Sequence, residues 1–366
     1  MARGTEAAKV AAELVASLRA DDLRLAVVFA HYTVDPAQLA RELQRGLGSI
    51  PVVGCTTSGV VGAGDGTSAV ALGLYGDWLR VGIGVATELS KMAIIGSRDA
   101  VGHAAARLGT TPGRLDPARH VAFTLVDGTT EHEEGFCIGS AAAAPQIRVV
   151  GGASSSHVGP REPTAIWANG EMLADAGVVV LLESTRRFEA LTSCHLVPTD
   201  VKTVVTAGSR REIHELDGVP ARRRLRDLMA QLGATLDEDR PSGYSFARII
   251  DGQPYVQSIT RLEGDTVFTA SAVEAGHVLR LMRSGDLVAK TREDLSGVES
   301  RIGPISALIA FSCLGRHWEA RAKQLEADLA SVYGAYPTVG LQTFGEQTGM
   351  LFVNHTLTAL AIGGPR

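Results

Sequence analysis

The alternation of apolar and polar positions predicts one small plan three times along the chain. It is clearest between Ala307 and Ile362. An apolar run from Ala307 to Phe311 reads as a buried strand and leads into Ser312-Cys313-Leu314-Gly315-Arg316. Trp318, Ala322, Leu325, Leu329 and Val332 then alternate between spacings of four and three, which places one apolar stripe on one face of a helix. Pro337 and Val339-Gly340 follow, then a polar, glycine-containing segment from Gln342 to Gly349 and a last apolar run from Leu357 to Ile362. The order is strand, helix, strand, turn, strand.

The first copy of this plan opens at Leu25 (LAVVFAHY). Asp35 is placed to cap a helix and Pro36 takes its first position. Leu39, Leu43 and Leu47 share a face, and Gly48 stops the helix. PVVGCTTSGVVG at 51–62 and SAVALGLY at 68–75 supply the later strands. The second copy has HVAFTLVDG at 120–128, a small-residue helix from Glu133 to Ala144, IRVVGGASSSHVG at 147–159 and GVVVLLE at 177–183, with 160–176 reading as an inserted hairpin. Gly54, Gly151 and Gly340 lie at similar distances from their strand starts, so they are expected at equivalent places, where glycine permits positive φ or close backbone approach. The result is a weak threefold β-α-β-β internal repeat, too long and irregular for a solenoid.

Between the copies, LRVGIGVAT at 79–87 reads as a strand, and a helix starting near Asp99 carries Val101, Ala104, Ala105 and Leu108 inward. Segments 188–197, 201–207 and 211–216 alternate as strands. Pro220 opens a helix with Leu225, Leu228, Met229 and Leu232 on one face. Arg222, Arg223, Arg224 and Arg226 occupy the other, as a solvated face or an anchor for nearby carboxylates. Polar residues 233–242 read as a linker. Beyond it, 243–283 is strand-rich, with Asp251-Gly252 as a hairpin turn. The fold class is α/β in the mixed α+β sense: a two-module chain of mixed β-sheets flanked by helices, with modules at 20–235 and 236–366.

Composition narrows the function classes. With 45% hydrophobic and 20% charged residues, the 366-residue chain has the balance of a globular protein. A net charge of −5 with mixed signs gives no electrostatic case for nucleic acid or an anionic membrane. No run approaches the about 18 apolar residues of a membrane span. The N-terminus reads as an amphipathic helix with Val10, Leu14 and Leu18 inward rather than a signal peptide. Cys55, Cys137, Cys194 and Cys313 stand far apart and read as reduced thiols, so a cytoplasmic location is expected.

The motifs GCTTSG (54–59), GGASSS (151–156), Val219-Pro220-Ala221, ARIIDG (247–252), FSCLGR (311–316), VGLQTFGEQ (339–347) and NHTLT (354–358) occur in an order that resembles the FIST domain family over residues 25–362. The family often continues the first motif with Gly-Glu. Here Val60 follows Gly59, while Gly345-Glu346 keeps the pair in the third repeat. The resemblance implies N-terminal and C-terminal FIST modules and a sensory, small-ligand-binding role in signal transduction, with amino acids or small carboxylates as ligands. It also implies an alternative, a haem-binding nitric oxide sensor. Such proteins work beside histidine kinases or cyclic-di-nucleotide enzymes. The chain has no room for an output domain, so the expected partner is a separate signalling protein.

The residues offer little catalytic signal. GAGDG at 62–66 lies between two strands and lacks the following Lys-Ser/Thr of a phosphate loop, so it reads as a hairpin turn. The ten histidines show no paired metal spacing, and no metal site is expected. Haem b needs one axial ligand, for which His31, His317 and His355 are the candidates. The expected ligand site is the third repeat: Ser312, Cys313, Gly315 and Arg316 at a strand-to-helix junction, with Gly345 and Glu346 in the turn after the partner strand. Arg316 would hold a carboxylate and Glu346 an ammonium, or the two would pair with each other. An enzyme using Cys313, Arg316 and Glu346 is the third reading; the chain is expected not to be an enzyme.

Overall fold

Each repeat builds a sheet around one apolar central strand. In the first, Leu23–His31 lies parallel to Val52–Thr57 and antiparallel to Ala69–Tyr75. In the second, His120–Val126 lies between parallel Val149–Ala153 and antiparallel Gly177–Ser184. In the third, Ile305–Cys313 lies between parallel Thr338–Thr343 and antiparallel Leu357–Gly363. A parallel pair needs a crossover, and each crossover is helical. The first, Pro36–Leu47, is capped as its sequence dictates: Asp35 accepts from the Ala37 and Gln38 N–H groups at 2.9 and 3.0 Å. These relations come from a computed structural model that describes residues 1–62, 66–157, 162–238 and 244–365.

The three sheets exchange strands in a closed ring. Ile166–Ala168 of the second repeat pairs with Val52–Thr57 of the first. Glu346–Thr348 of the third pairs with Val149–Ala153 of the second. Val60–Val61 of the first pairs with Thr338–Thr343 of the third. Gly54, Gly151 and Gly340 occupy the same ladder position, facing Val28, Thr124 and Ala310 on one side and Trp167, Gln347 and Val61 on the other. The reason for glycine is close approach rather than positive φ: an added Cβ would lie 1.8 Å from the Val28 carbonyl oxygen, 2.4 Å from that of Thr124 and 2.8 Å from that of Ala310. The sheets share one core, in which Phe311 lies 6.3 Å from both Phe29 and Phe123.

A fourth sheet is an antiparallel barrel. Leu196–Ser209, Val278–Ser284, Ser245–Ile250, Gln253–Glu263, Thr266–Thr269 and Glu212–Leu216 follow one another, and Glu212–Leu216 pairs back onto Leu196–Ser209. Asp251 and Gly252 take φ of 50° and 77°, as the hairpin signal requires. The Ala221–Gln231 helix packs Leu225, Leu228 and Met229 against the barrel strands. Its opposite face is tied down: Arg222 and Arg226 pair with Glu238, and Arg224 with Asp217.

Several boundaries differ from the sequence reading. The third-repeat helix is two helices, Leu314–Ala322 and Glu326–Gly334, broken where Gln324 takes φ 58°. Trp318 and Ala322 are exposed, so the apolar stripe is not continuous. The helix expected near Asp99 starts at Leu89, ahead of a kink at Met92, because Ile94 and Ile95 are exposed and break the inward pattern. Leu232 lies past the end of its helix and is exposed. The inserted hairpin of the second repeat carries the strand donated to the first sheet. Strands on both sides of residue 235 share the barrel, and two of the three donated strands cross that position. Part of GAGDG (63–65) and of the polar segment (239–243) lies outside the described residues.

Candidate functional site

The carboxyl ends of parallel strands of the second and third repeats converge beside the barrel and leave a cavity of about 500 Å³. Gly128 and Thr129, after His120–Val126, form one edge. Cys313, Leu314, Gly315 and Trp318 form a second, and Thr343 and Phe344 a third. The barrel closes the other side with Ser258–Arg261, Phe268–Ala270 and the Arg210-Arg211 turn. Strand ends of this kind gather ligands in α/β folds because their backbone groups and the following helix N-termini point outward together.

The wall is mixed in chemistry. Phe268, Trp318 and Phe344 supply aromatic surface, and the Arg261 guanidinium lies 3.7 Å over the Phe268 ring. Arg211 pairs with Glu133 at 2.6 Å and Glu134 at 3.5 Å. Burial pushes the Glu133 carboxyl up to about 7 against the pull of that guanidinium. Arg261 pairs with Glu263. Arg210 differs: it is exposed, its backbone is left-handed at φ 54°, and its guanidinium has no ion pair or hydrogen bond among the described residues.

Of the expected site residues, the structure brings Cys313 and Gly315 to the cavity wall. Cys313 closes the strand and takes the N-cap position of the Leu314–Ala322 helix, without a side-chain hydrogen bond to the first turn. Burial, reinforced by Glu346, pushes its thiol well above the usual range. Gly315 is required by packing, since a Cβ there would lie 2.9 Å from His355 Nδ1. Ser312, Arg316, Gly345 and Glu346 are not on the wall. Gly345 lies against Phe352 and Asn354, and its carbonyl accepts from the Ala153 N–H.

Arg316 and Glu346 are both fully buried and form no ion pair with each other. Arg316 donates to Thr291 Oγ1 at 2.7 Å and to His195 Nδ1 at 3.4 Å, leaving Nε unpartnered. Glu346 accepts from Thr343, and from the Thr356 hydroxyl at 2.6 Å and its N–H at 3.2 Å. Burial pushes this carboxyl up to about 8 despite those donors and the Arg316 charge. A carboxyl that is neutral near pH 7 is a poor acceptor for a ligand ammonium.

Behind the cavity lies a group the sequence did not announce. The Nε2 atoms of His195 and His355 approach the same Glu319 oxygen at 2.8 and 2.9 Å. Lys323 holds the other oxygen at 2.7 Å, and Ser284 donates to it as well. Burial lowers His195 to about 4, so its imidazole is neutral. Burial opposes ionisation of Glu319, but the hydrogen bonds from the two histidines and from Lys323 hold it far below the usual carboxylate range. The three ligand-type atoms lie within 4.8 Å of one another, as in a metal site. The donor set does not fit a cation, however. Arg316 donates to His195 Nδ1, which places the imidazole proton on Nε2, where a metal would bind. A metal-bound histidine instead donates from its outer nitrogen. Lys323 and Arg316 add two positive charges beside the triad.

The haem candidates lie apart. His31 is at a strand end, hydrogen-bonded to Thr33 and 4.3 Å from the Tyr32 ring; burial lowers its pKa. His317 is half-buried, and His355 is committed to Glu319. None of the three lines the cavity. The described histidine that does, His157, is exposed. These residues do not make an enclosed axial site for haem.

Sequence reasoning missed His157, Arg210, Arg211, Phe268, Trp318, Phe344 and Glu319. Trp318 was read as core. The barrel residues come from a meander whose distance in sequence hides their place opposite the third repeat.

Two family models match the chain in succession, the FIST N domain over residues 24–219 and the FIST C domain over residues 221–348. A search of curated proteins finds no match. Among solved structures, the crystal structure of cyanuric acid hydrolase from A. caulinodans aligns over 99% of this chain and 97% of that chain, with 11% identity and a TM-score of 0.37. No helix among the described residues is long and apolar enough to cross a membrane.

Proposed function

This chain belongs to the FIST family, a family of signalling-related small-ligand sensory domains, and on that premise we propose that it is a ligand-binding sensor whose site is the cavity between the strand-end ring and the barrel. The observation that carries this reading is the cavity itself. Its walls come from the second repeat, the third repeat and the barrel, so a molecule filling it would bias how the barrel sits against the ring. That is a route by which binding could be reported to a separate signalling protein, such as a histidine kinase or a cyclic-di-nucleotide enzyme. The volume suits an amino acid or a small carboxylate, in the lower part of the range of ligand pockets.

Binding rather than catalysis is favoured by the state of the nucleophile. Burial and Glu346 keep Cys313 a thiol, and the thiolate is the reactive form. Arg316 and Glu346, the other members of the enzymatic reading, are turned into the interior.

A thermal-shift screen with amino acids and small carboxylates tests the assignment. Hits should raise the melting temperature of the parent protein and lose that effect in Ala270→Trp, which fills the cavity from the barrel side. Hits that persist in Ala270→Trp would place the binding elsewhere.

A further inference from the structure

We infer that the cavity selects a small ring-bearing carboxylate, an aryl or heteroaryl acid, with Arg210 as the residue that recognises its charge. The inference rests on the cavity being the ligand site and adds the chemical class that fills it. Three guanidiniums reach the wall, and two are already matched: Arg211 by Glu133 and Glu134, Arg261 by Glu263. Arg210 is left with a full charge and no protein partner among the described residues.

Its position adds a second argument. Arg210 occupies the two-residue turn between Leu196–Ser209 and Glu212–Leu216 in the left-handed region, at φ 54°. That conformation favours glycine or asparagine, and an arginine there is strained. Strain retained beside a cavity is a mark of function. Opposite the turn, the Leu314–Ala322 helix begins at the wall with Cys313, Leu314 and Gly315. The N–H groups of its first turn add positive potential for an anion. The Cys313 side chain, at the N-cap, makes no hydrogen bond to that turn.

The rest of the wall defines the body of the ligand. Phe268, Trp318 and Phe344 line the cavity, and Arg261 covers one face of Phe268. Trp318 is exposed at 38% on a helix whose other face is buried, which is uneconomical for packing but apt for stacking. An aliphatic amino acid would leave these aromatic faces wet.

The full chain should be titrated with benzoate, phenylacetate, nicotinate and indole-3-acetate, each beside its primary amide, with melting temperature and tryptophan fluorescence as readouts. At least one acid should bind and perturb the fluorescence while its amide does not. Arg210→Gln should weaken that acid about tenfold to a hundredfold, with the unliganded melting temperature unchanged. Trp318→Leu should remove the fluorescence response. Amides that bind as well as acids, an unaffected Arg210→Gln, or no binding by any of the acids would overturn the inference. If aliphatic amino acids bind instead, and lose binding in Ala270→Trp, the ligand class is wrong and the cavity assignment stands. If binding of any probe is indifferent to Ala270→Trp, the cavity assignment itself fails.

Discussion

Replacing Glu346 by glutamine should leave stability nearly unchanged at pH 5 and make the variant the more stable protein above pH 8. The side chain is fully buried, with Thr343 and Thr356 donating to its oxygens. Burial raises its pKa from 4.5 to about 8. Between those values the folded chain holds a proton that the unfolded chain has released. Stability from this group is therefore fully present below pH 4.5 and is lost as pH rises through 8. A tenfold change in proton affinity is worth about 1.4 kcal/mol, so the loss is at most about 5 kcal/mol, and about 2–5 kcal/mol after structural relaxation. Glutamine keeps a carbonyl for Thr356, offers an amide to Thr343 and does not titrate. Urea unfolding of parent and variant at pH 5, 6, 7 and 8.5 measures the difference directly. Glu133, raised to about 7, titrates in both proteins and cancels. Parallel profiles would refute the reasoning. A variant less stable at high pH would mean that Glu346 is ionised and held by Arg316.

Arg316→Ala should lower the unliganded stability by about 3–5 kcal/mol, since it strands Thr291 and His195 around a void; a melting temperature near that of the parent would return Arg316 to the ligand site. Gly54→Ala should prevent folding, because its Cβ would meet the Val28 carbonyl at 1.8 Å and the Trp167 ring at 2.6 Å, whereas Gly102→Ala, with nothing within 4 Å, should stabilise its helix by about 1 kcal/mol; circular dichroism of the pair is the check. Cys313 should resist alkylation by iodoacetamide at pH 7.5 in the native protein, and rapid labelling there by mass spectrometry would contradict its protonated, buried state.

The sheet-forming part of the fold was legible because its signals are local. Period-two runs, Asp35-Pro36 before a leucine face and Asp251-Gly252 between strands each specify an element from a few neighbouring residues. The threefold repeat was legible through its glycines, and close backbone approach was one of the two reasons the sequence left open for them. The choice between positive φ and close approach was not legible at Gly54, because the approach of Trp167 comes from a strand donated more than a hundred residues later. The candidate site divides in the same way. Cys313 and Gly315 were found because a strand running into a helix is a local signature. Arg316 is one residue further on, and helical rotation turns it from the wall into the interior. Period alone did not reveal this, because the helix starts at Leu314 and breaks after Ala322, out of phase with the single long helix that Trp318 to Val332 suggested.

The exchange of strands bears on how a ligand signal could travel. Each sheet is completed by a strand from another repeat, so none can shift without disturbing its donor. The barrel meets this ring through the Arg211–Glu133 pair, the Ala272 N–H on Glu134 and the Asn354 N–H on the Val256 carbonyl. The Leu314–Ala322 helix connects the two. Its Cys313, Gly315 and Trp318 face the cavity, while Arg316 and Glu319 reach into the buried network with His195, which lies just ahead of the first barrel strand. A ligand that moves Trp318 must therefore strain the Glu319–His195 bond or carry the barrel with it. His195→Ala would uncouple the helix from the barrel. It should leave ligand affinity within a few fold of the parent, because His195 does not line the cavity. It should also abolish any ligand-induced change in amide hydrogen exchange over Leu196–Ser209. Exchange protection there that still responds fully to ligand in His195→Ala would show that the signal takes another path.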